Sequence, residues 1–175
     1  MSILLIVFCK LCKPNRLIKM FRQRVQFDPL LIILEIISFQ LIFYGFFMLF
    51  SLIFDFLSGV SFSTEQIFNY AVFGAKSQMG RSCMIGSLAG GMSVAVAFAL
   101  IEGRSRKALD FIGTTYIIHI IVATVTSHFP KSMIWWLTHF VGWSISTILA
   151  EFLSMKNELQ EINLDTAFNR AERQL

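Results

Sequence analysis

Four ionisable side chains stand in apolar surroundings in this sequence: Glu35, His119, His139 and Glu151. A charge at membrane depth costs several kcal/mol, so each is a functional candidate by default. Glu35 and Glu151 fall within about two turns of one membrane face. Two acids at one level could coordinate a cation, or could reach the headgroups and accept hydrogen bonds from Ser or Gln neighbours. His119 is near mid-membrane and shares its stretch with Thr114, Thr115, Tyr116, Thr124, Thr126 and Ser127. Those groups could line a polar path, or bond between helices. An aspartyl enzyme would want paired acids in a water-filled cavity, a zinc enzyme the H-E-x-x-H spacing, and a serine enzyme a nucleophile on a strained turn. The sequence holds none of these. Cys9 and Cys12 form a lone C-x-x-C without a second pair or a nearby His, half of what zinc requires. Cysteines beside a membrane can also carry palmitate. We therefore expect no catalytic residues, no cofactor and no metal.

The elements that must position these groups are membrane-spanning helices. The chain is 55% hydrophobic and only 15% charged, with 19 Phe in 175 residues. Soluble domains carry nearer a quarter charged residues, so the solvent here is lipid. From Pro29 to Phe54 the only charge is Glu35. A helix of that length reaches about 39 Å, more than a hydrocarbon core of about 30 Å requires. Asp28-Pro29 is a helix-start pair. Further spans are expected over about 82–101, 109–127 and 133–152. The fold class predicted is all-α: a four-helix membrane bundle, residues 28–152, with a cytosolic extension of its last span.

Residues 56–81 mix Ser, Thr, Gly, Asn and Gln with Phe and Tyr, which reads as a loop lying on the membrane or folding back on the bundle. The second span carries Ser82, Gly86, Ala89, Gly90, Ser93 and Ala97 at steps of three and four, which suits close helix approach inside one bundle. Gly86-x-x-x-Gly90 could instead join two copies, so a homo-oligomer stays open. Trp135 and Trp136 are expected to anchor at the headgroup level.

Lys and Arg fall 12 on the side of the two termini and the 102–107 turn against 3 on the other, or 8 against 3 counted from Met20. That bias puts both ends in the cytosol and explains the net charge of +4 without nucleic acid. Residues before Met20 read as an extension or a mis-assigned start, not a secretory signal, because their basic residues follow the short apolar run. Beyond the fourth span, Met155, Leu159 and Ile162 recur at i, i+4, i+7 among charged neighbours, an apolar stripe that must cover something. After Asn163 the sequence turns polar and is expected to lose order.

Several stretches resemble one family. FDPLLII leads the first span, Tyr44-Gly45 lies within it and Asp55 closes it. LDF at 109–111 precedes His119, and Phe129-Pro130, WWL at 135–137 and EFLSMKNELQEI in the tail follow. In order and spacing these resemble the Sys-one family of Golgi integral membrane proteins, from about Met20 to Leu164. The departures are the N-terminal extension and Ala150, where Gly is more usual. The resemblance implies residence in the trans-Golgi membrane and a receptor role: the cytosolic face binds an Arf-related small GTPase with an acetylated N-terminus. That GTPase then promotes recruitment of an Arf-like GTPase and golgin tethers for endosome-to-Golgi transport. Candidate contact residues are Phe27, Asp28, Leu109, Asp110, Phe111, Glu151, Met155, Glu158, Leu159 and Ile162. Each also has a plainer role: Asp28 and Asp110 as helix starts, Glu151 as an interface acid, the stripe as surface packing. The rival reading is a small proton-coupled or metabolite transporter using His119, Glu35 and Glu151.

Overall fold

The computed structural model describes residues 29–61 and 63–172, with side chains described except at Glu65 and from 161 onward. Four helices are long and apolar enough to cross a membrane, and the described residues contain no strand. We label them α1 (Pro29–Ser58), α2 (Gln78–Ile101), α3 (Ala108–Ser127) and α4 (Met133–Glu172). Three short 3-10 turns join them, at Thr64–Ile67, Tyr70–Val72 and Ser105–Lys107. The all-α four-span reading is borne out. The chain runs up and down, so one end of the bundle gathers the start of α1, the α2–α3 turn and the tail of α4. The other gathers the 59–77 loop and the α3–α4 turn. We call these the tail end and the loop end.

The inward face of α1 is a single stripe at every fourth residue: Glu35, Phe39, Phe43, Phe47, Ser51 and Asp55. Such a row is one of the two ridges by which helices interdigitate. It lies against α2, which is the central helix, packed on α1 along one side and on α4 along the other. The small residues of α2 make that possible. A Cβ on Gly90 would come within 2.9 Å of the Phe43 carbonyl oxygen, and one on Gly86 within 2.9 Å of the Phe47 carbonyl oxygen. Gly86-x-x-x-Gly90 is thus occupied by α1 of the same chain. On its other side, Gly91 faces the Tyr116 hydroxyl of α3 and Ser146 of α4, and Gly142 meets the same hydroxyl from α4. Lipid-facing positions such as Leu41, Leu52, Leu100, Val125 and Ile148 stay exposed on the outside of the bundle, as a hydrocarbon solvent allows.

The helix ends follow local chemistry. α1 runs one turn past Phe54 and stops at Gly59, whose φ of 69° is a conformation that a residue with a Cβ avoids. α2 begins at Gln78 because Ser77 caps it, its hydroxyl accepting the Gly80 N–H at 3.0 Å. The loop between them folds back into the bundle, burying Gln66, Ile67 and Phe73. α4 continues to Glu172, past Asn163 where order was expected to fade. Beyond Gly142 it contains neither Gly nor Pro, and Leu, Glu, Ala and Arg favour helix even where nothing packs.

Candidate functional site

Two regions gather the residues singled out from the sequence. The first is the tail end. Asn157 donates its amide to the Ala99 carbonyl at 3.1 Å, taking up an acceptor in the last turn of α2. Its neighbour Glu158 accepts two hydrogen bonds from Ser105, from the backbone N–H at 3.2 Å and the hydroxyl at 3.3 Å. Ser154, one turn back, is fully buried. The tail is therefore clamped to the α2–α3 turn through a polar face. Its apolar stripe points the other way, with Met155 51% and Leu159 62% exposed. Ile148 and Phe152, also exposed, precede them on the same face, so the lipid-facing stripe of α4 runs unbroken into the tail.

Of the other candidate residues here, Leu109 and Asp110 are exposed at the start of α3, where the helix dipole favours an acid. Phe111 is half-buried, its ring 5.7 Å from Phe39 and 5.9 Å from Phe98. Glu151 is exposed whereas Glu35 is buried, so the two acids do not form one enclosed pair. Phe27 and Asp28 lie outside the described residues, as does the side chain of Ile162. Ser105 and Asn157 were not anticipated. The only sequence signal for them was position: a hydroxyl inside the basic turn, and an amide opposite the Met155/Leu159 stripe.

The second region is a buried aromatic layer nearer the loop end. His119 and His139 stack with ring centroids 4.9 Å apart and planes 14° apart. Trp135 lies 4.1 Å from His139, and Phe43, Tyr44 and Phe73 close the sides. His139 donates Nδ1–H to the Trp135 carbonyl at 2.8 Å, since a carbonyl can only accept. His119 Nδ1 meets the Tyr44 hydroxyl at 3.3 Å. Sequence reasoning put Trp135 at the headgroups, but it is fully buried here because its face of α4 is the one turned inward. Trp136 keeps an interfacial character, with its indole N–H donated to the Pro130 carbonyl at 3.0 Å. The six ring residues of the layer include no Ser, Cys or Lys side chain. Among the described residues no three His, Cys, Asp or Glu side chains cluster as metal ligands. The rings fill the bundle, and neither Glu35 nor Glu151 joins them.

Comparison with known proteins covers most of the chain. The SYS1 family model, described as "Integral membrane protein S linking to the trans Golgi network", matches residues 21–164. A SYS1 homolog of Nematostella vectensis is 34% identical over 144 residues, which cover 82% of this chain and 91% of that protein. A SYS1 homolog of Dictyostelium discoideum is 34% identical over 145 residues, covering 83% of this chain. The chain spans 62% of the length of the Dictyostelium protein. No solved structure matches the chain.

Proposed function

The chain belongs to the SYS1 family of integral membrane proteins linked to the trans-Golgi network, and from that premise we propose that it is a receptor rather than an enzyme. Its tail end faces the cytosol and docks an Arf-related small GTPase with an acetylated N-terminus. The docked GTPase stays on the trans-Golgi membrane and supports the tethering of endosome-derived vesicles. The observation that carries this reading is the outward stripe Met155/Leu159 on a tail held rigid by Asn157 and Glu158.

The physical logic is one of two weak anchors. A short apolar helix, like a single acyl chain, binds a bilayer marginally and reversibly, and stable residence takes a second contact. A protein stripe beside the headgroups supplies that contact, and an amphipathic helix laid along it buries apolar area that neither surface buries alone. The basic residues Arg104, Arg106 and Lys107 of the adjacent turn hold the same rim against anionic lipid.

Depleting the protein from cells tests the reading. The Arf-related GTPase should become diffuse, return to the Golgi when the wild-type chain is restored, and stay diffuse when the restored chain carries Met155→Asp and Leu159→Asp. Unchanged Golgi binding of that GTPase after depletion would rule the receptor role out.

A further inference from the structure

We propose that Asp55, Ser51 and Gln66 form a binding site for one monovalent cation, of sodium size, at the loop end of the bundle. Asp55 is fully buried, and neither of its carboxylate oxygens has a hydrogen-bond partner among the described residues. An uncompensated carboxylate in such a place costs several kcal/mol, so it must be neutralised, by a proton or by a positive charge beside it.

Among the described residues no basic side chain bonds the Asp55 carboxylate. Arg81, a basic residue on the facing end of α2, is exposed and turned away, bonding the Ala75 carbonyl and the Gln78 side chain. In the first turn of α2, the N–H groups of Gly80 and Arg81 are already taken by Ser77. What the surroundings do supply is oxygen. One turn before Asp55, Ser51 is also fully buried, with its hydroxyl 3.5 Å from the Ser82 carbonyl. Beside Ser82, the buried Cys83 thiol lies within electrostatic reach of Asp55 and 3.7 Å from both the main-chain and side-chain oxygens of Gln66. Gln66 is buried in turn, and its Nε2 has no partner among the described residues.

The donor set selects the ion. A single carboxylate among neutral hydroxyl, amide and carbonyl oxygens suits a hard monovalent cation, whereas calcium takes six to eight oxygens and commonly several carboxylates. A proton is the competing occupant; a metal ion differs from it in engaging both carboxylate oxygens at once. Gln66 belongs to the returning loop, so occupancy ties that loop to α1 and α2.

The test is thermal unfolding of the full chain in lipid nanodiscs, with sodium replaced stepwise by N-methylglucamine at fixed ionic strength. The wild type should gain several degrees with sodium and saturate, and Asp55→Asn should lose that response. Gln66→Ala keeps the carboxylate, and its half-saturating sodium concentration should rise tenfold or more, an arm that stands even if Asp55→Asn does not fold. A wild type indifferent to sodium, a response that Asp55→Asn or Gln66→Ala leaves unmoved, or stability that follows pH through Asp55 and ignores sodium would each overturn the site.

Discussion

Replacing Gly90 with Ala should destabilise the bundle, and replacing Gly45 with Ala should not, although both residues lie within membrane helices. At Gly90 the added Cβ would stand 2.9 Å from a backbone oxygen of α1 and 3.4 Å from two further atoms of Phe43 and Phe47. Ordinary contact begins near 3.4 Å, so relief requires α1 to move away by about half an ångström along much of its interface. A carbonyl oxygen, unlike the end of a side chain, cannot rotate aside. Overpacking of this kind costs about 1–3 kcal/mol. At Gly45 nothing lies within 4 Å of the new atom, and Ala is favoured over Gly in a helix by about 0.5–1 kcal/mol. The two substitutions should therefore move the unfolding midpoint of the purified protein in opposite directions. The double variant Gly86→Ala/Gly90→Ala should cost less than the sum of its parts, because one displacement of α1 relieves both clashes. If Gly90→Ala matched the wild type in stability while altering the oligomeric state, the glycines would be facing another copy instead of α1 of the same chain.

Two further outcomes follow from the packing. Glu158→Ala removes both bonds to Ser105, and since the pair is partly solvated the cost should be about 1 kcal/mol or less in global stability. The tail should nonetheless be freed, read as a broadened distance distribution between spin labels on the tail and the α2–α3 turn. Trp135→Ala should cost about 3–5 kcal/mol by opening a cavity beside His139, whereas Trp136→Phe, which loses one hydrogen bond, should cost about 1 kcal/mol in the same unfolding assay.

The spans were legible because lipid demands long apolar runs, and the run from Pro29 is one that no soluble helix needs. Which way each helix faces was much less legible, for a physical reason. In water, polarity separates outside from inside, but a lipid-facing side chain and a buried one are equally apolar, so α1 shows little contrast between Phe43, fully buried, and Leu41, exposed. The same degeneracy misassigned Trp135. The small residues of α2 escaped it, because a helix surface without bulk is useful only against another helix. Gln66 and Asp55 were illegible in another way: polar residues near a membrane boundary ordinarily meet water, and only the folded bundle buries them.

That asymmetry between the ends bears on how a receptor without moving parts would work. At the loop end the chain is folded in on itself, with Phe73 against Trp135 and His139, and Gln66 beside Cys83. At the tail end the same α4 that carries His139 emerges as one uninterrupted helix to Leu159 and beyond, so the stripe is fixed relative to the buried ring layer without a hinge. On the proposed function, a docking helix meeting that stripe would pay little to order it, so that a modest apolar area could give useful affinity. The clamp at Asn157 and Glu158 matters for the same reason: it uses only the polar face of the tail, and so holds the apolar face outward instead of letting it collapse beneath the bundle.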